Sequence, residues 1–131
     1  RLDRGMITQA LTNLLKNAGE SVEARLAERP EPPGRVRAVL THEPDAVVVR
    51  IIDNGLGLPV HGRSRLLEPY VTTREKGTGL GLAITRKIAE EHGGALTLED
   101  APPDPDGPEG APRGAMAVLR LPAAPLPPDP A

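Results

Sequence analysis

Tyr70-Val71-Thr72-Thr73-Arg74-Glu75-Lys76-Gly77-Thr78-Gly79-Leu80-Gly81-Leu82-Ala83 is the stretch on which the reading of this chain turns. Gly77, Gly79 and Gly81 alternate with Thr78 and Leu80 directly before an apolar-periodic segment, so a loop poor in side chains runs into the start of a helix. A phosphate fits there. The first helical turn leaves backbone N–H groups unpaired at the positive end of the helix dipole, and glycine lets the backbone approach an anion closely. A plain glycine-rich connector would look the same in isolation. Two other segments bear on the choice.

Downstream of the glycines, Leu80, Ile84 and Ile88 fall at four-residue spacing, which predicts a helix over residues 79–92 closed by Gly93-Gly94. Upstream, Ile7, Leu11, Leu14, Leu15, Ala18, Val22 and Leu26 mark one face of a helix over residues 3–29, which Pro30 and Pro32-Pro33-Gly34 stop. Residues 35–41 and 46–53 read as two strands joined by a turn at His42-Glu43-Pro44-Asp45, and residues 95–99 and 115–121 as two more. The Pro- and Gly-rich stretch 100–114 is poorly suited to regular structure. The tail from Pro122 is prolines and small residues that cannot bury a core and should be extended or disordered. We therefore expect one folded domain, residues 1–121, and a tail, residues 122–131.

The composition excludes several function classes. With 131 residues there is enough chain for one core, which must be aliphatic because Tyr70 is the lone aromatic residue. Base-stacking platforms are therefore unavailable. A formal net charge of -2, from 16 basic and 18 acidic residues, leaves no electrostatic footprint for nucleic acid or an anionic membrane. Without cysteine there are no disulfides or thiolate metal sites. Apolar runs are too short to cross a bilayer, and the expectation is a soluble, cytoplasmic piece. Because the chain opens at Arg1 rather than methionine, we expect it to be a segment of a longer protein.

On the opposite face of the first helix, Asn13 and Asn17 lie four residues apart and are neighbours, with Gln9, Lys16 and Glu20 beside them. A solvated polar face would look alike. Asparagine, however, is a poor helix former, and two in register suggest amide oxygens offered to a hard cation such as Mg²⁺, with Lys16 available to compensate phosphate charge. At the end of the second strand stands Asp53-Asn54-Gly55-Leu56-Gly57. It is either an ordinary turn or a carboxylate placed to accept a hydrogen bond from an exocyclic amine such as the N6 of adenine.

Taken in order, these segments carry more than each does singly. Asn13-Leu14-Leu15-Lys16-Asn17-Ala18, then Asp53 to Gly57, then Glu68-Pro69-Tyr70-Val71-Thr72-Thr73, then Gly77 to Leu82 closely resemble the N box, first glycine box, F box and second glycine box of sensor histidine kinases. The wording around Asn17-Ala18-Gly19-Glu20-Ser21 most resembles nitrogen-regulation kinases of the NtrY type. The resemblance implies an α/β fold, the Bergerat-type two-layer sandwich of the GHKL superfamily, with a mixed sheet packed against helices on one face. It implies ATP and Mg²⁺ as cofactors, with Asn13 and Asn17 holding the metal and phosphates, and Asn13, Lys16 and Asn17 as the catalytic set. Asp53 would read adenine, and Gly55 and Gly57 would shape its pocket. Residues 58–76 would form a mobile lid bearing Tyr70, Thr73, Arg74 and Lys76, and Gly77, Thr78, Gly79, Leu80, Gly81 and Leu82 would admit the phosphates. Val71 departs from the second aromatic of the F box, and Glu20 stands where many relatives carry a basic residue, so phosphate compensation would pass to Lys16, Arg74 or Lys76.

None of the three histidines has the helical context of a phosphoacceptor: His42 is expected in a turn, His61 in the lid and His92 at a helix end. The implied partners are therefore ATP or ADP, a histidine-bearing dimerisation domain of the same parent, expected to be a membrane-anchored sensor, and a downstream response regulator. Two alternatives stand beside this reading. One is a water-activating ATPase of the same superfold, whose relatives carry a glutamate where this chain has Asn13; an amide cannot take the proton that hydrolysis must remove. The other is a nucleotide-sensing module without turnover, against which the intact asparagines, Asp53 and lid glycines argue. A dinucleotide-binding fold is excluded, since the glycine run lacks its sixth-place glycine and does not follow a strand.

Overall fold

Residues 4–58, 81–103 and 114–123 are described by a computed structural model. Helix α1 spans Arg4–Glu28 and ends where Pro30 forbids helical geometry at the residue before it, with the Arg29 N–H still bonded to the Arg25 carbonyl at 2.7 Å. Its buried positions are Ala10, Leu14, Ala18, Ser21, Val22 and Arg25. This stripe is rotated from the expected one. Leu14 and Leu15 are consecutive and point about 100° apart on a helix of 3.6 residues per turn, so one face cannot take both. Leu14, set between small Ala10 and Ala18, is buried, while Leu15 is 46% exposed.

Strands β1 (Val36–Glu43) and β2 (Ala46–Asp53) form an antiparallel hairpin in register from Val36 opposite Asp53 to Glu43 opposite Ala46. The turn is thus only Pro44-Asp45, and His42 pairs with Val47 inside β1 rather than lying in the turn. Helix α2 spans Gly81–Glu91. It closes through Gly93 at φ 77°, with the Gly94 N–H bonded to the Ala89 carbonyl at 2.7 Å, an ending that needs the left-handed conformation glycine adopts freely. Of its expected apolar positions Ile88 is buried, but Ile84 is 37% exposed and Thr85 and Ala89 take the inward face. Strands β3 (Ala95–Asp100) and β4 (Ala115–Pro122) pair antiparallel, and β4 also pairs with β2, giving the order β1-β2-β4-β3. β4 runs one residue beyond the expected boundary: Pro122 pairs with Ala46, and the Ala123 N–H donates to the Asp45 carbonyl at 3.0 Å.

The resemblance implied a mixed sheet, whereas every pairing among the described strands is antiparallel. The layering is as expected. Val49 and Ile51 of β2 stand opposite Leu119 and Ala117 of β4, which stand opposite Leu96 and Leu98 of β3. These rows face the helices and join Ala10, Leu14, Ala18, Ile88 and Ala89 in one aliphatic core. Because α1 and α2 pack side by side on that face, the C-terminal end of β2 emerges beside α1, and there the polar residues gather.

Candidate functional site

Asp53 is the last residue of β2 and is 6% exposed. Its Oδ1 accepts the Gly55 N–H at 2.8 Å, which curls the chain out of the strand, and the Ala115 N–H at 3.4 Å, which ties it to the start of β4. Gly114 crosses directly over this residue, where a Cβ would overlap the Asp53 carbonyl. Neighbouring Asn54 has a different task. Its Oδ1 accepts the Arg35 N–H at 2.8 Å and its Nδ2 donates to the Pro33 carbonyl at 2.8 Å, so its side chain is spent on fastening the segment that enters β1.

Gly55 is buried against α1. A Cβ there would stand 2.6 Å from the Ser21 carbonyl oxygen and nearer still to the Ser21 hydroxyl, so this position admits only glycine. The next N–H, of Leu56, donates to Ser21 Oγ at 3.0 Å, and Arg25 Nε donates to the Asn54 carbonyl at 3.0 Å. Gly57 follows at φ 80°. The turn that carries Asp53 is therefore docked onto one side of α1 through contacts that leave no slack.

That side is the one bearing the asparagines. Asn13, Asn17, Ser21 and Arg25 recur every four residues, and on a helix of 3.6 residues per turn each step rises about 6 Å and turns the row about 40°. The row accordingly passes from half-buried Asn13 and Asn17 to buried Ser21 and Arg25. The asparagines thus occupy a flank of α1 at the border of the core rather than the solvent face, on which Gln9 and Lys16 remain exposed. Among the described residues, buried Asn13 Nδ2 has no hydrogen-bond partner. Leaving an amide donor so is costly, and an acceptor supplied by a ligand, such as a phosphate oxygen, would satisfy it.

At α2, apart from its own helix and chain neighbours, no described residue comes within 4 Å of where a Cβ of Gly81 would sit, so among the described residues the first turn has open space beside it. Thr85 Oγ1 donates back to the Gly81 carbonyl at 2.9 Å, and Leu82 packs against the core. Tyr70, Thr73, Arg74, Lys76, Gly77, Thr78, Gly79 and Leu80 lie outside the described residues, as do His61 and all of the expected lid except Leu58. His92 Nδ1 lies 2.7 Å from the Ile88 carbonyl at the end of α2. Among the described residues no cluster of three or more His, Cys, Asp or Glu could hold a metal. The available donors are amides, a set that suits Mg²⁺ delivered with phosphates rather than a protein-built carboxylate cage.

Sequence reasoning missed Ser21 and Arg25. The signal was their place in the same four-residue row as Asn13 and Asn17, while the turn that contacts them lies far along the chain.

Residues 2–125 match the family described as Histidine kinase-, DNA gyrase B-, and HSP90-like ATPase. Over 126 residues the chain is 54% identical to nitrogen regulation protein NtrY of Azorhizobium caulinodans, an alignment covering 92% of this chain and 14% of that protein. It is 37% identical over 113 residues to the sensory histidine kinase/phosphatase NtrB of Rhodobacter capsulatus, covering 76% of this chain and 30% of that one. Among solved structures, the mycobacterial sensor histidine kinase MprB matches with a TM-score of 0.74 at 30% identity, over 95% of this chain and 74% of that chain. Full-length ShkA in complex with AMPPNP matches with a TM-score of 0.70 at 27% identity, over 95% of this chain and 23% of that chain. The chain thus spans less than a third of either curated relative.

Proposed function

Since the chain belongs to the histidine kinase-, DNA gyrase B- and HSP90-like ATPase family and is an ATP-binding catalytic domain of the sensor-kinase kind, we propose that it transfers the γ-phosphoryl group of ATP to a histidine on a separate dimerisation domain. Asp53 accepts the hydrogen bond of the adenine amine, and Asn13 and Asn17 engage the phosphates. Asn13 and Asn17 would hold Mg²⁺ through their amide oxygens, and the metal would supply charge neutralisation for the transferring group. The bond from the γ-phosphorus to the bridging oxygen breaks, a bond to an imidazole nitrogen of the partner forms, and ADP leaves. The glycines 77, 79 and 81 and the basic Lys16, Arg74 and Lys76 complete the phosphate side. A response regulator then receives the phosphoryl group, and the domain works in the cytoplasm, where ATP is. Among the described residues no helix is long and apolar enough to cross a membrane.

The observation that supports this reading is the docking of the Asp53 turn onto the helix that bears both asparagines, which holds that carboxylate and those amides on one frame. The complex of the similar ShkA with AMPPNP supports a nucleotide as the ligand. Transfer to a protein is favoured over hydrolysis because the position that would need a base to activate water is the amide Asn13. Calorimetric titration of the chain with ATP, ADP and GTP tests the assignment. Adenine nucleotides should bind selectively, and Asp53→Asn, which keeps the Oδ1 acceptor for Gly55 and Ala115 but turns a donor toward the amine, should weaken ATP by about 1.5–3 kcal/mol, the range for hydrogen bonds to charged groups. An ATP affinity within twofold of the wild type would overturn the role of Asp53.

A further inference from the structure

We propose that Ser21 and Arg25 are positioning residues for base recognition: they hold the Asp53 carboxylate in register with Asn17 by clamping the turn 54–56 to α1. The inference rests on the reading of Asp53 as the group that meets the adenine amine. Ser21 Oγ accepts the Leu56 N–H at 3.0 Å, on the far side of the turn from the Gly55 N–H that Asp53 itself holds at 2.8 Å. Arg25 Nε grips the intervening Asn54 carbonyl at 3.0 Å. Two consecutive peptide units downstream of Asp53 are thereby pinned to successive turns of one helix, and Gly55 between them touches the helix backbone itself.

Arg25 is an improbable residue for stability alone. It is 2% exposed, and among the described residues no carboxylate pairs with it and its buried Nη2 has no partner. Burying a guanidinium in this way is costly, and an apolar side chain of similar volume would serve packing as well or better. What an apolar residue could not do is bridge two backbone carbonyls. Arg25 does so, joining Asn54 through Nε and Arg29, at the C-terminal end of α1, through Nη1 at 2.9 Å. The planar fork fixes both at once. Ser21 and Arg25 touch neither base nor phosphate; they act through Asp53, and their loss should appear as lost discrimination at the purine 6-position.

The discriminating probe is purine riboside 5′-triphosphate, which keeps the ring, ribose and phosphates of ATP and lacks the 6-amino group. The wild-type chain should prefer ATP over this analogue, and the Kd ratio between the two is the readout. Ser21→Ala should weaken ATP about five- to tenfold and leave the analogue within twofold, compressing the ratio, because it removes the acceptor of Leu56 without adding bulk. Arg25→Met, which keeps the stem packed while losing both carbonyl contacts, should compress the ratio in the same way and serves alone if Ser21→Ala does not fold. A merely structural role would weaken both nucleotides equally. That result, or an unchanged ratio in a folded variant, overturns the inference. If the wild type itself shows no preference for ATP over the analogue, the reading of Asp53 fails first and this inference falls with it.

Discussion

Replacing Gly55 by alanine tests the packing on which the site depends. The Cβ would stand 2.4 Å from the Ser21 carbonyl carbon, where ordinary contact begins at 3.4 Å, so the turn and helix must part by about 1.0 Å, the difference of the two. Neither neighbour yields cheaply, because the opposing atoms are helix backbone in the interior of α1. Overpacking of this kind costs about 1–3 kcal/mol. The retreat also stretches Leu56 N–H to Ser21 Oγ at 3.0 Å and Arg25 Nε to the Asn54 carbonyl at 3.0 Å, each worth about 1 kcal/mol. The expected loss is about 3–5 kcal/mol, a large part of the roughly 5–15 kcal/mol that holds a domain folded. Urea denaturation followed by circular dichroism reads it as a midpoint lower by about 1.5–2.5 M at an m-value near 2 kcal/mol/M. Gly19→Ala is the control, since nothing lies within 4 Å of its Cβ position in α1 and the exchange should stabilise by about 1 kcal/mol through helix propensity. The reasoning is refuted if Gly55→Ala stays within 0.5 kcal/mol of the wild type, a threshold set by the usual size of surface effects.

Two further outcomes are expected. Asn17→Ala should abolish the enhancement of nucleotide affinity by Mg²⁺ while sparing metal-free recognition of adenine, as titrations with and without the metal will show; equal losses in both would mean a folding defect instead. Incubated alone with ATP, the chain should incorporate no acid-labile phosphate, because His42 pairs in edge strand β1 and His92 is engaged at the end of α2, whereas a separately added dimerisation domain from the same parent should be phosphorylated slowly for want of a tether. Phosphohistidine mapped by mass spectrometry to any histidine of this chain would contradict it.

The sequence was most legible where a local rule dominates. Pro30 and Gly93-Gly94 mark helix ends through backbone geometry alone, and the β1-β2 hairpin follows from valine- and isoleucine-bearing runs either side of a short turn. The errors came where burial is decided by something distant in the chain. Leu14 and Leu15 are equivalent to periodicity, and only the placement of α1 over β2 separates them; Ile84 lost its inward place to Thr85 and Ala89 in the same way. His42 moved from turn to strand because the hairpin closes more tightly than Pro44 and its neighbours suggested. Asn54 reads like Asp53 as a turn former, but tertiary partners at Pro33 and Arg35 give the two adjacent side chains separate tasks. Ser21 and Arg25 are the plainest case, since their burial comes from a segment about thirty residues downstream, which no helical pattern records.

The same row explains what this frame can and cannot distinguish. Because ATP and ADP share the base, the Asp53 turn and its clamps treat them alike, however firmly Ser21 and Arg25 hold it. Any preference between the two nucleotides must arise where they differ, at the terminal phosphate. On the proposed reading, the groups offered to the phosphates among the described residues are Asn13, Asn17 and the first turn of α2 at Gly81, the two asparagines lying one and two turns of α1 before Ser21. A rigid helix fixes the distance between base and phosphate sites but transmits no choice between them. Loss of the base reader should therefore lower the affinities for ATP and ADP by the same factor, whereas loss of Asn17 should alter their ratio.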